Sequence, residues 1–408
     1  MDPARGGRPT AEVIVVGGGV IGLSIAWRAA QTGRSVLLID PAPAQGATFA
    51  AAGMLAPVSE YHYQEDALLP AMRESAARYP GFIRELEFVE GAAGYLRTET
   101  LLVGVDQGDR QALADLHAAH RRAQLDVEPL TTRDARAREP LLGPRVSSVY
   151  RVAGDHQVDP RMLAASLLDR LQRPDGQGRQ VGIAREQAVA LLHRDRADDD
   201  SPVIGVRLSD GTEVVGAEVV LANGAGASAI DGVPGRLDLP LRPVYGDILR
   251  LRVPDRLRPL LHSTVRALVH GESVYLVPRA DGTLVVGATQ REDGVDAVSA
   301  GAVHRLLRDA QQVVPAVGEL SLIEATVRAR QGTPDNAPLL GRVLGRGGAA
   351  VAGLTVATGF FRHGVLLAPL AADIVLGLID GHPDHRWDAF RPDRFTTHAD
   401  QTAEGTHR

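Results

Sequence analysis

The stretch EVIVVGGGVIGLSIAW, residues 12–27, decides the fold. EVIVV (12–16) is a short β-branched run of the kind that forms a buried parallel strand. Gly17-x-Gly19-x-x-Gly22 follows it directly and opens a run of helix formers over 20–33, which Gly33 stops. The first glycine permits a tight turn. The second lets main-chain amides approach a pyrophosphate, and the third lets the helix pack closely on the strand. The helix N-terminus adds a field that favours phosphate charge. SVLLID (35–40) reads as a second buried strand, ending in Asp40, where a carboxylate can accept from ribose hydroxyls. Strand, glycine turn, helix, strand and acid together make a dinucleotide-binding unit.

The glycine motif alone leaves nicotinamide and flavin dinucleotides open. ATFAAAGMLAP (47–57) separates them. It is too rich in small residues for a core strand and too apolar for an ordinary solvent loop. Small side chains let backbone approach a broad flat ring closely, which points to a flavin.

Two absences narrow the chemistry. The 408 residues contain no cysteine, which excludes disulfides, thiolate metal sites, iron–sulfur clusters, a cysteine nucleophile and a sulfur-linked flavin. They contain no lysine either; all 44 basic residues are arginine, so neither a Schiff base nor a Walker P-loop can form. No HExxH, triad spacing or carboxylate cluster appears, and no metal site is expected. The net charge of −6 carries no basic stripe, against nucleic acid and anionic membrane partners. The apolar stretch 348–379 is interrupted by Arg362, His363, Pro369 and Asp373, so it is not read as a membrane span, and a cytoplasmic enzyme is expected.

Along the rest of the chain, helices are predicted over 65–90, 110–124, 160–172 (with Asp159 as cap), 301–314 and 364–381. Strands are predicted at 98–105, in AVALLHR (188–194), in a meander over 203–224, at 247–253, in a hairpin over 273–289 and from 323 into a Gly/Pro loop. Residues 1–10 and 397–408 read as frayed ends. His117 and His120, spaced i, i+3 on a polar helix, read as solvated.

The blocks IVVGGGVIGLSIAW, TFAAAGMLAP, GDHQVDP, YLVPRADGTLVVGAT, RQGTPDNAPLLG and TGFFRHGVLLAP resemble, in order, the FAD-dependent amine oxidases of the D-amino-acid oxidase class. Within that class they most resemble the glycine oxidases of thiamin biosynthesis. The resemblance implies an α/β, doubly wound, Rossmann-like FAD domain with an inserted antiparallel-sheet substrate domain. The FAD domain would comprise 11–90, 145–226 and 330–395, and the substrate domain 91–144 and 227–329. FAD, held non-covalently, would contact Gly17, Gly19, Val20, Ile21, Gly22, Asp40, Thr48, Ala51, Ala52, Gly53, Met54, Val189 (at the adenine), Ala222 and Gly224. A third flavin segment would supply Gly359, Phe361, Arg362, His363, Gly364, Val365 and Leu366.

Arg330 aligns with the carboxylate-binding arginine of the family and Tyr275 with its partner tyrosine; a planar fork and a rigid phenol suit that task. Arg362 would line the pocket, as would Met54, Ser273 and Gln290. The implied reaction is oxidative deamination of glycine, sarcosine or a small D-amino acid by hydride transfer to FAD. Oxygen takes the electrons, giving peroxide, glyoxylate and ammonia, and the glycine imine would go on to thiazole synthase. A homotetramer is implied. The alternatives are a dehydrogenase using another acceptor and a non-catalytic flavin-binding protein. Phe360 and Ala227 depart from the family pattern, where histidine and tryptophan are common.

Overall fold

The computed structural model describes residues 9–62, 65–173, 178–234, 237–345 and 348–396. Residues 1–8 and 397–408 of the expected frayed ends lie outside these. Thr10, expected to fray, instead starts the first strand and pairs with Val215.

The first sheet has a parallel core in the order Gly182–Ala184, Val36–Ile39, Thr10–Val16, Glu213–Leu221, Ala350–Thr358. Leu339–Leu344 adds an antiparallel edge beyond Ala350–Thr358. Two further antiparallel strands, Val203–Leu208 and Ala188–His193, extend from the N-terminal half of Glu213–Leu221. Strand Val36–Ile39 is buried along its whole length, as a parallel strand covered on both faces must be. Helices Val20–Gln31, Leu68–Leu86, Pro160–Gln172 and Gly364–Ile379 share a core on one face of the sheet, built on Leu23, Trp27, Met72, Phe82, Leu167 and Leu370. Asp159 caps Pro160–Gln172 as expected, accepting from Arg161 N (2.9 Å) and Met162 N (3.3 Å). With the adjoining turn at Phe361–His363, Gly364–Ile379 is the one segment among the described residues long and apolar enough to span a bilayer; 61% of it is buried inside this core.

The second sheet runs Ser321–Gly332, Arg242–Arg252, Thr283–Gly287, Glu272–Pro278, Thr264–Val269, Thr100–Gly104, Ser148–Val152, Glu128–Leu130. It is antiparallel except where Thr264–Val269 meets Thr100–Gly104. Helix Ala300–Val313 and the core around Leu249, Val265, Leu276 and Val286 cover one face. Two of the expected domain limits fall differently. Ser148–Val152, expected in the FAD domain, pairs with Thr100–Gly104, and the limit at 330 falls inside Ser321–Gly332, which pairs with Arg242–Arg252 as far as Gly332. A small third sheet, Met54–Leu55, His156–Val158 and Tyr95–Leu96, lies between the two large ones in sequence.

Candidate active site

At the end of the first strand, Gly17 turns at φ +108° and a Cβ there would run into the Ala222 carbonyl; a Cβ on Gly22 would run into the Gly17 carbonyl. Strand, helix and the Ala222–Gly224 turn therefore close to backbone contact. Gly19 caps the helix without a side chain, so the first turn keeps amide donors facing outward. Asp40 accepts from Gly18 N (2.6 Å) and Ala42 N (2.7 Å), fixing the glycine loop as well as ending the second strand. Thr48 Oγ1 accepts from Val20 N at 2.9 Å and ties the alanine-rich segment to that helix. Gly359 (φ +71°) and Phe361 (φ +47°) turn the chain into the helix that starts at Gly364. The Val365 and Leu366 carbonyls are held by Tyr79 Oη (2.6 Å) and Ser75 Oγ (2.7 Å). Val189 lies at a bulge of its strand, its carbonyl accepting from Asp231 N at 2.9 Å.

The alanine-rich segment forms a short helix, Ala47–Ala50, then turns at Gly53 (φ +71°) into the short strand Met54–Leu55. Three arginines weld it to its surroundings. Arg161 lies 3.5 Å over the Phe49 ring and donates to the Phe49 carbonyl at 2.9 Å, where Arg250 also donates at 3.3 Å. Arg279 donates to the Ala52 carbonyl, to Val158 O (3.1 Å) and to Gln157 Oε1 (2.8 Å). Burial pulls the Arg279 guanidinium down to about 10, against the opposing charge of Asp159, whose Oδ2 lies 3.6 Å from its Nε. These arginines were not singled out in the sequence; Arg279 directly follows the strand that carries Tyr275, which was the available signal.

The second sheet presents its other face to this segment: Ile248, Val277 and Val285 pack with Ala52, Met54 and Tyr275. On this face Arg330 and Tyr275 come together over two glycines. A Cβ on Gly246 would overlap the Arg330 guanidinium (2.6 Å from its Cζ), and one on Gly287 would lie 2.6 Å from Tyr275 Oη. Glycine inside a strand marks such close approach. Burial pushes the Tyr275 phenol up, and the nearby Arg330 charge opposes that shift. Arg330 Nη1 donates to the Thr289 carbonyl at 3.3 Å, and it has no carboxylate partner among the described residues. Arg362 is different: its Nη2 holds both Glu65 oxygens, at 2.8 and 2.9 Å. Arg362, expected to line the pocket, is held here by an ion pair that fixes residues 359–366, the segment expected at the flavin. Ser273 and Gln290 are solvent-exposed. The expectation for the histidine pair is also corrected. His120 is fully buried and pushed down to about 4 by that burial, and the His117 ring lies against Tyr150, tilted at 33° with centroids 4.9 Å apart.

Residues 12–378 match the family described as FAD dependent oxidoreductase, the DAO family. The chain belongs to that family. The bifunctional protein ThiO/ThiG of Trichormus variabilis is 29% identical over 98% of this chain and 57% of its own length; the chain thus spans little more than half of that relative. The glycine oxidase of Geobacillus kaustophilus is 30% identical over 90% of this chain and 93% of its own. The crystal structure of that organism's glycine oxidase superposes with a TM-score of 0.83 at 28% identity, covering 95% of this chain and 99% of the other.

The cofactor of this family is FAD, and the residues here fit it. Backbone closed to contact at Gly17, Gly22 and Ala222 leaves amides rather than side chains to meet a pyrophosphate. At Ala51–Gly53 the main chain carries no side chain larger than a methyl group, which is what close approach of a flat ring requires. No group of three or more His, Cys, Asp or Glu side chains able to hold a metal forms among the described residues.

Proposed function

We propose that this flavoenzyme deaminates glycine oxidatively, with sarcosine and the smallest D-amino acids as further substrates. The observation that carries the reading is Arg330: a half-buried guanidinium with no carboxylate partner among the described residues, beside the half-buried Tyr275 phenol, on the sheet face that packs on the alanine-rich segment. The Arg330 fork takes the substrate carboxylate and Tyr275 Oη donates to the same group. That anchoring orients the Cα–H toward the flavin space and converts an encounter into a fixed geometry. Packing of Ile248, Val277, Val285, Ala52 and Met54 keeps bulk water from it. FAD, when bound, supplies acceptance of the hydride from Cα, and oxygen regenerates it. Overall, glycine, O2 and water give glyoxylate, ammonia and hydrogen peroxide. No dedicated base is needed when the amine arrives neutral.

The fused relative motivates a second element of the proposal: the imine formed on the way to glyoxylate is passed to thiazole synthesis in the cytoplasm. The test is an aerobic assay of peroxide and glyoxylate across glycine, sarcosine, D-alanine and D-proline. Glycine or sarcosine should lead. Flavin reduction without peroxide would point to a dehydrogenase, and no product from any of the four would remove the proposal.

A further inference from the structure

A second guanidinium occupies the same face of the sheet. Arg266 stands directly opposite Tyr275 in the antiparallel register of Thr264–Val269 and Glu272–Pro278, so their side chains share one face. It lies on the flank of Tyr275 away from Arg330, whose strand is three strands off on the other side. Arg266 Nη1 pairs with Glu60 Oε1 and lies 3.5 Å from Met54 Sδ, and Met54 packs in the Tyr275 cluster. Glu60 is buried, with His363 Nδ1 3.4 Å from its other oxygen. The Arg266 Nε and Nη2 donors have no protein partner among the described residues, and the side chain keeps 19% of its exposure.

Resting on the proposed carboxylate clamp at Arg330 and Tyr275, we propose that the Glu60–Arg266 pair determines specificity, forming a charged wall that admits a hydrogen or a polar group at the substrate Cα and rejects an apolar side chain. The Tyr275 hydroxyl leans over Gly287, away from Arg266, but the Arg266 guanidinium reaches Met54, which packs with Tyr275, so the Glu60–Arg266 pair bounds that cluster on the side where a Cβ substituent would extend. Glycine leaves the water on Arg266 in place. An alkyl group strips that water from charged donors without replacing its hydrogen bonds, which costs free energy. A hydroxymethyl group of nearly the same size can accept from them. Arg266 does not serve as a second carboxylate clamp because, unlike Arg330, it is already neutralised.

The test compares near-isosteres on the wild-type holoenzyme: D-serine and D-2-aminobutyrate, with glycine as reference. The expected kcat/KM for D-serine exceeds that for D-2-aminobutyrate by about tenfold or more. The double variant Glu60→Leu/Arg266→Leu removes both charges together, so neither is orphaned; it should at least halve that preference on a logarithmic scale and raise D-2-aminobutyrate relative to glycine. Glu60→Gln/Arg266→Gln, polar but uncharged, should fall between. Equal turnover of the two D-amino acids by a wild-type enzyme that oxidises glycine would overturn the wall alone. An enzyme inert to glycine would overturn the clamp and the wall together. If neither double variant retains FAD, the wild-type ratio still decides.

Discussion

The proposed roles of Arg330 and Tyr275 depend on what surrounds them. A guanidinium with a carbonyl but no carboxylate keeps its charge for a ligand; one with a bidentate carboxylate, like Arg362, does not. Arg330→Ala should therefore raise KM for glycine by about 10- to 100-fold, the loss of a charge-assisted pair worth roughly 1.5–3 kcal/mol, while the protein stays yellow. Steady-state kinetics with a flavin spectrum check this; an unchanged KM would move the clamp elsewhere. His363 gives a pH prediction. Burial holds its imidazole at about 4, below the free value of 6.5. Between those values the unfolded chain binds a proton that the fold refuses, so this residue's contribution is present above pH 6.5 and is lost as pH falls toward 4. The change amounts to about 3 kcal/mol. Denaturant melts of wild type and His363→Leu across that range should show the slope shrinking in the variant; identical slopes would exclude it. The pairing of Arg330 with Tyr275 was the expectation from their blocks in the sequence, and the structure brings the two together. Glu60 and Arg266, 206 residues apart, were not legible there, because only the tertiary fold brings the turn at 57–60 against the strand Thr264–Val269.

At the scale of elements, local pattern was enough for most strands and helices, including the hairpin over 272–287 and the capped helix from Pro160. Sheet membership was not readable: Ser148–Val152 has the pattern of a half-buried strand, and only its distant partner Thr100–Gly104 assigns it to the second sheet. The two strand glycines show the same limit, since Gly246 and Gly287 became meaningful once the side chains crossing them were known. Gly287→Ala should displace the Tyr275 ring and lower kcat/KM for glycine about tenfold or more, at an overpacking cost of about 1–3 kcal/mol in stability. A variant with wild-type kinetics would show that Tyr275 does not depend on that gap. The arginine weld makes a separate prediction. Arg279→Met leaves the Ala52 and Val158 carbonyls and Gln157 Oε1 short of a donor, at about 1–3 kcal/mol for each group left unsatisfied. Released-flavin fluorescence should report weaker FAD retention, and retention equal to wild type would separate the weld from cofactor binding.

The whole molecule places two sheets face to segment, with the alanine-rich stretch between them fixed from both sides: Thr48 bonds it to the first helix, and Arg250 and Arg279 bond it to the second sheet. A flavin held there bridges both halves, so FAD should stabilise the chain as a unit, by about 2.7 kcal/mol at a hundredfold excess over its Kd. Thermal melts with and without FAD would show one shifted transition. The most direct test of the central claim, a glycine carboxylate clamped by Arg330 and Tyr275 against the flavin, is anaerobic addition of glycine to the holoenzyme. The expected result is bleaching of the visible flavin band in the wild type and, at the same glycine concentration, far less in Arg330→Ala. A band that glycine leaves unchanged in the wild type, or that bleaches equally in both proteins, would contradict it.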